Sequence, residues 1–209
     1  KFVNWHGLFI GHDVGYNKAD KYDSLYLPPA RYLRKSFNLN KKIKRATAYT
    51  TALGLYELRL NGNKVGEANF LPGWTDYNKR LYYQTFDITN NLREGENVIG
   101  AVIADGWYAG YIGYALLVRL DKEDGSMETI ASDQTWKSNE GAIREADIIM
   151  GETYDARLEN AGWDAPNYDD SQWKKPKVYT YPNGKLQAYP GTQVKNTEIL
   201  KPIAMTEPS

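Results

Sequence analysis

Three segments of this 209-residue chain combine aromatic, acidic and glycine residues in a way that suits binding of a polar small molecule. The richest is residues 105–114, DGWYAGYIGY, with four aromatic side chains, three glycines and one aspartate. Glycine lets the backbone approach a ligand closely, and Trp and Tyr faces pack against the C–H face of a sugar. Asp105 could accept hydroxyl hydrogen bonds or contribute to a calcium site. Asp105, Trp107, Tyr108 and Tyr111 are therefore carbohydrate-binding candidates, unless the aromatics only close the core and the glycines only serve turns.

The second segment is residues 72–80, PGWTDYNKR, which mixes aromatic and charged side chains in a predicted loop. As part of a binding site, Trp74 would stack on a sugar, and Asp76 and Arg80 would contact its hydroxyl groups. In the structural alternative, which we favour, Asp76 accepts from turn amides and Arg80 forms an ion pair with it.

The third segment is residues 151–157, GETYDAR, followed by further Trp and Asp residues up to Trp173. Glu152 and Asp155 could in principle be the two carboxylates of a glycosidase. Two acids three residues apart in a loop are common, however, and an ion pair between Glu152 and Arg157 explains the pattern more simply. We assign no catalytic residue.

Composition excludes several classes of function. The 26 basic and 26 acidic residues cancel, so the chain lacks the positive charge expected of a protein that binds nucleic acid or an anionic membrane. There is no cysteine, and the two histidines, His6 and His12, lack a metal-binding pattern and are expected to pack at the N-terminus. A metallohydrolase or a Ser-His-Asp hydrolase is thus nearly excluded. The sequence has 17 Tyr and 6 Trp but only 5 Phe, which favours surfaces where aromatic side chains are partly buried and partly in contact with water.

The three candidate segments are separated by short predicted strands. In residues 55–60, Tyr56, Leu58 and Leu60 alternate with charged residues, as in a half-buried strand, and Asn-Gly follows as a type I′ hairpin turn. The unbroken apolar run 98–103 predicts a strand covered on both faces. Other strands are predicted at residues 46–51, 79–88, 115–120 and 127–131, and one helical turn is predicted at residues 89–92 with Thr89 as its N-cap. No apolar run is long enough for a membrane span.

Short strands with turn signals every eight to twelve residues indicate an all-β protein, a sandwich or jelly roll with its functional residues in loops. After residue 178 the strand and turn signals are no longer regularly spaced, which suggests a tail or linker. The chain begins without Met and without a signal peptide, as expected of a processed protein or of a piece of a longer one.

Taken in order, the motifs of this chain resemble the N-terminal accessory domain of bacterial α-L-rhamnosidases, glycoside hydrolase family 78. The motifs are GLYE at 54–57, NG at 61–62, VG at 65–66, PGWTDY at 72–77, Arg80, Tyr83, DIT at 87–89, GEN at 95–97, DGWY at 105–108, GETYDAR at 151–157 and GWD at 162–164. The match covers about residues 30–178.

The resemblance implies a galactose-binding-like jelly-roll β-sandwich over residues 30–178. Residues 1–29 would be an N-terminal extension, and residues 179–209 an extension or linker toward a downstream domain. Catalytic acids of the family lie in an (α/α)₆ barrel, for which this chain has no helical pattern. We therefore expect a non-catalytic domain that packs against the barrel and assists carbohydrate recognition. The alternatives are an autonomous module that binds L-rhamnose or another glycan, and a self-contained glycosidase using Glu152 and Asp155.

Some related domains bind rhamnose through calcium, held by an Asp-Asn pair before the Tyr-x-x-x-x-Asn-Gly strand. The matching positions here are Leu53 and Gly54, which offer no side-chain oxygen, and Asp105 alone would be a poor calcium site. We expect no cofactor and no metal site.

The expected partners are a rhamnose-containing glycan and the catalytic domain of the same polypeptide, without nucleic acid or membrane. A bacterial protein that is periplasmic or secreted is favoured over a cytoplasmic one.

Overall fold

A computed structural model describes residues 4–13, 27–108, 113–180, 185–204 and 206. Its regular elements are short strands and two 3₁₀ turns, at Thr89–Asn91 and Ala156–Leu158. The strands are β1 (Phe9–Gly11), β2 (Arg31–Leu39), β3 (Ile43–Leu53), β4 (Leu55–Leu60), β5 (Asn63–Lys64), β6 (Arg80–Asp87), β7 (Gly95–Ala104), β8 (Gly113–Lys122), β9 (Met127–Ala131), β10 (Lys137–Glu140), β11 (Ile143–Asp147), β12 (Gly151–Tyr154), β13 (Lys177–Tyr179) and β14 (Lys185–Ala188). Within this described part, no helix is long and apolar enough to cross a membrane.

Two sheets form a sandwich, which confirms the predicted all-β jelly-roll class. The first sheet has the order β13-β1-β8-β3-β6-β14, with β9 also paired to β8, and the second has the order β10-β2-β7-β4-β5. A separate two-stranded hairpin consists of β11 and β12. The main core lies between the sheets and takes Ala48 and Val118 from the first sheet and Leu58 and Ile99 from the second. Burial of these apolar side chains is the main favourable contribution to folding.

The alternation of apolar and charged residues in β4 produces the half-buried strand that it predicted. Tyr56, Leu58 and Leu60 are buried in the main core, and the charged residues between them face outward. At the turn that follows, Asn61 and Gly62 have φ angles of 51° and 85°, the left-handed pair that a type I′ hairpin requires. The predicted hairpin is confirmed by the pairing of β4 with β5.

Strand β7 is covered on both faces, as its apolar run predicted. Ile99, Ala101 and Ile103 point into the main core. On the opposite face lies a covering segment, residues 155–173, whose Trp163 ring packs directly over Gly100. The second cover is thus an irregular segment, and a side chain at position 100 would collide with it.

All other predicted strands are present: β3 and β8 are longer than predicted, β6 is one residue shorter at each end, and β9 has the predicted bounds. The predicted helical turn is a 3₁₀ turn. Its N-cap is Ile88, so the prediction of Thr89 as the cap is wrong: the Thr89 hydroxyl accepts a hydrogen bond from the amide of Ala46 at 2.9 Å instead. Strands β1 and β14, near the two ends of the chain, both join the first sheet, β14 in parallel with β6. Next to β1, the buried His12 ring lies 2.9 Å from the Ser138 hydroxyl.

The contact between β7 and Trp163 predicts that Gly100→Ala is destabilising. An ideal Cβ at position 100 would lie 2.6 Å from the Trp163 ring and 2.8 Å from the Leu33 carbonyl oxygen. We expect a loss of about 1–3 kcal/mol in the free energy of unfolding, measured by urea denaturation. Gly113→Ala is the matched control, because its nearest contacts would be ordinary ones at 3.5 Å and its effect should stay below about 1 kcal/mol. Equal effects of the two variants would contradict this account.

Candidate functional site

The predicted site residues that the structure describes lie at one end of the sandwich, where the turn after β7 meets the loop before β6. The rings of Tyr77 and Tyr108 are in edge-to-face contact with centroids 5.1 Å apart, so the two loops form one surface. Beside them is a cavity of about 210 Å³, here called the loop-end groove. It is lined by Leu55, Phe70, Gly106, Asp147 and Glu152, among others.

Asp105 is part of the structure's internal charge balance. Its carboxylate accepts a hydrogen bond from Arg31 at 2.8 Å, and the two side chains are only 14% and 2% exposed. Burial raises the pKa of Asp105, and the nearby Arg31 guanidinium opposes that rise. One oxygen of the Asp105 carboxylate is therefore used to neutralise a buried cation, and contact of Asp105 with a sugar stays a prediction.

Gly106 and Tyr108 serve packing, as the structural alternative proposed. Gly106 has a φ angle of 61°, and a Cβ there would lie 2.6 Å from the Leu55 side chain, so the turn requires glycine. The half-buried Tyr108 contacts both the main core and a smaller cluster around Leu81. Tyr108 therefore closes the end of the sandwich and is a poor ligand contact.

Trp74 and Trp107 are the two candidates that remain free to meet a ligand. Their side chains are 67% and 55% exposed, which is unusual for so large an apolar residue. Tyr111 lies outside the residues that the structure describes.

Asp76 and Arg80 have mainly structural contacts. The Asp76 carboxylate accepts from the amide of Asn78 at 3.1 Å, as predicted for a turn residue. Its ion pair, however, is with Lys79 at 3.1 Å, so the predicted pairing with Arg80 is wrong. Lys79 is nearer because the turn places it three residues after Asp76, whereas Arg80 already begins β6 and gives only its amide to the Asp76 carbonyl oxygen, at 3.0 Å.

The loop-end groove contains three side chains that the sequence did not single out for this site. Phe70 is half exposed on its wall. Asp147 accepts from the amides of Ile149 and Met150 at 2.7 Å each, which lowers its pKa. The side chain of Glu152 is exposed, and its carboxylate forms no hydrogen bond or ion pair with the described residues. The sequence signal for the hairpin is the run of three apolar residues, Ile148 to Met150, between Asp147 and Gly151.

The predicted Glu152–Arg157 ion pair is not formed. Arg157 instead binds Asp155 in a bidentate manner, with nitrogen–oxygen distances of 2.8 and 2.6 Å. Asp155 also caps the 3₁₀ turn by accepting from the Arg157 amide, a local contact that a residue three positions earlier on β12 cannot make. The hydrogen bond from Arg157 lowers the pKa of Asp155, the reverse of what a glycosidase general acid needs.

No group of three or more His, Asp or Glu side chains close enough to hold a metal ion occurs among the described residues. Leu53, at the position where related domains would have a calcium ligand, is buried in the smaller cluster.

Comparison with known proteins identifies the family. The model of the α-L-rhamnosidase N-terminal domain matches residues 41–198, about three-quarters of the chain. This chain belongs to the α-L-rhamnosidase N-terminal domain family. An α-L-rhamnosidase of Streptomyces avermitilis is 48% identical, in a match that covers 69% of this chain and 15% of the relative.

Two solved structures extend the comparison to three dimensions. The α-L-rhamnosidase of Dictyoglumus thermophilum matches 97% of this N-terminal domain and 24% of its own chain, with a TM-score of 0.85 and 34% identity. The crystal structure of S. avermitilis α-L-rhamnosidase complexed with L-rhamnose matches 76% of this domain and 17% of its own chain, with a TM-score of 0.73 and 41% identity. The domain spans only 15–24% of the length of its curated relatives.

The contrast between Tyr108 and Trp107 gives a test of their roles. Tyr108→Ala should lower the free energy of unfolding by about 2–3 kcal/mol, somewhat less than truncation of a fully buried aromatic residue. Trp107→Ala, one residue earlier on the exposed side of the same turn, should change it by less than about 0.5 kcal/mol. Urea denaturation followed by circular dichroism measures both. A large loss in Trp107→Ala would mean that its ring supports the fold.

Proposed function

We propose that this chain is a non-catalytic accessory domain of an α-L-rhamnosidase and packs against the catalytic domain of the same polypeptide. The observation that carries the proposal is the family match together with the small share of each relative that the domain covers. The carboxylates of the domain agree with it. Of the two acids in the glycosidase alternative, Asp155 is paired with Arg157, which leaves Glu152 without a free partner acid.

The surface of the β11–β12 hairpin supports the packing role. Ile149 and Met150 at the tip of this hairpin are both more than half exposed, and Leu158 just after the hairpin is also exposed. Exposed apolar residues grouped in this way are typical of a surface that contacts another domain. The neighbouring catalytic domain is the partner we propose for it.

Hydrolysis of an aryl α-L-rhamnoside tests the proposal. The full protein encoded by the reading frame that contains this chain should release the aryl group, whereas the purified chain alone should show no more release than buffer. Circular dichroism of the purified chain verifies that it is folded during the assay. Robust hydrolysis by the folded chain alone would overturn the non-catalytic assignment, and an inactive full protein would overturn the assignment to a rhamnosidase.

A second candidate function is glycan binding at the loop end, favoured by the exposed rings of Trp74 and Trp107 and by a groove that has Phe70 and Gly106, the residue before Trp107, on its wall. Aromatic faces are typical platforms for the apolar face of a sugar ring, and the free Glu152 carboxylate could accept its hydroxyl groups.

Titration with L-rhamnose, followed by NMR with and without calcium, tests this candidate. Glycan binding predicts saturable shifts of the indole signals of Trp74 and Trp107 at millimolar sugar, lost in Trp107→Ala. Binding in the absence of calcium is expected, because no metal ligand set exists among the described residues. Unperturbed spectra at saturating sugar would remove the second candidate.

A further inference from the structure

A second cavity, with no lining residue in common with the loop-end groove, lies on the outer face of the second sheet. It has a volume of about 320 Å³, at the lower end of the ~300–1,000 Å³ range of small-molecule sites. Its floor is formed by Tyr32 of β2 and Arg59 of β4, and the covering segment forms its rim. The residues that matter for binding are Tyr32, Arg59, Tyr154, Glu159, Asn160 and Asp164, and we call the cavity the side pocket.

The charge of the side pocket argues against an anionic ligand. Arg59 is its one cation, and that charge is already matched by Glu57 at 2.8 Å and by a close contact with Asp164. Glu159 adds a carboxylate whose partner is the neutral hydroxyl of Tyr154. That hydrogen bond raises the pKa of Tyr154 to about 12, and the charges of Glu159 and Glu152 add to the rise. Because negative charge is in excess, a phosphate or carboxylate would be repelled.

Unused hydrogen-bonding groups in the pocket match a ligand rich in hydroxyl groups. Arg59 uses three of its five N–H groups, toward Asp164, Glu57 and the Gly62 carbonyl oxygen. Asn160 donates its amide to the Glu140 carbonyl oxygen at 2.9 Å, which leaves its own oxygen as an acceptor. Glu159 has a second carboxylate oxygen. Neighbouring hydroxyl groups of a sugar both donate and accept, so they can satisfy all three side chains.

The side pocket also has a fixed aromatic wall. Tyr154 is 51% exposed, and its ring is held in place by the hydrogen bond to Glu159. Behind it, Trp163 packs edge-to-face on Tyr32 with centroids 5.2 Å apart and stacks on Trp173 at 6.2 Å. The three rings behind Tyr154 are buried, so ordering them on ligand binding costs little entropy.

We propose that the side pocket binds one neutral pyranose unit of a glycan, with Glu159, Asn160 and Arg59 contacting its hydroxyl groups and Tyr154 packing against its C–H face. This site is separate from the loop-end groove and does not depend on whether that groove binds sugar. Cationic groups fit less well, because they cannot accept hydrogen bonds and the remaining donors of Arg59 would stay unused.

The test is an NMR titration of the ¹⁵N-labelled chain with methyl α-L-rhamnoside, methyl β-D-galactoside and methylguanidinium as separate probes. At least one glycoside should give saturable shifts at millimolar concentration in residues 154–164, including the indole N–H of Trp163. Glu159→Gln should weaken this binding at least about tenfold, since it removes a charged acceptor. Tyr154→Ala, at an exposed position, should weaken it by roughly 2- to 12-fold.

Trp107→Ala is the matched control, since it truncates an exposed aromatic residue at the loop-end groove and should leave side-pocket binding unchanged. The proposal is overturned if neither glycoside shifts residues 154–164, if the shifts are confined to the loop end, or if Glu159→Gln binds as tightly as the unmodified chain. Saturable binding of methylguanidinium alone would identify a cation site and overturn it as well. None of these outcomes bears on the rhamnosidase assignment, which is tested by hydrolysis.

Discussion

The arrangement of the covering segment on the second sheet depends on the contacts of one buried group, the guanidinium of Arg34. Its side chain is only 2% exposed and reaches out of β2 to the covering segment, where it donates to the Trp163 carbonyl oxygen at 2.7 Å and pairs with Asp170. The ring of Tyr168 lies 5.4 Å from it in a cation–π contact. An arginine buried in this way is strongly destabilising if its partners are removed, so it holds the segment in one position.

Both the covered strand and the side pocket follow from that position. With the segment held by Arg34, the Trp163 ring lies over Gly100 and shields β7 from water. The same placement sets Glu159 and Asn160 opposite Arg59, which leaves the space between them as the side pocket. A single set of contacts therefore explains why an irregular segment without a strand of its own is ordered against a sheet, and why a cavity remains beneath it.

Local sequence patterns predicted the elements whose surroundings are reflected in the order of their apolar and polar residues. The alternation in β4, the Asn-Gly turn and the apolar run of β7 each report a local environment, and each prediction was confirmed. Strand β2 was missed because buried Arg31 and Arg34 interrupt its apolar pattern, and their partners Asp105 and Asp170 lie 74 and 136 residues further along the chain. No local pattern shows that such charges are neutralised in the fold.

The sequence brought attention to the aromatic residues of the loop end but not to the charged contacts around them. Trp74 and Trp107 are both exposed, and their part in ligand binding stays a prediction. The acid expected to bind a ligand, Asp105, is instead paired with Arg31, because the end of the sandwich buries a cation that needs a counter-charge. The groove's own carboxylates, Asp147 and Glu152, come from the β11–β12 hairpin, whose exposed residues show no apolar alternation to mark it as a strand pair.

Weak binding at each site is compatible with a useful role in a larger enzyme. One aromatic–sugar contact contributes about 0.5–1.5 kcal/mol beyond area burial, so each site alone should bind in the millimolar range, near −4 kcal/mol. When the module is attached to a catalytic domain, a bound sugar unit keeps the rest of the glycan at a high effective concentration near the active site. Two weak sites with separate linings would then select long or branched glycans over single sugars, because only those ligands can engage the side pocket and the loop-end groove together.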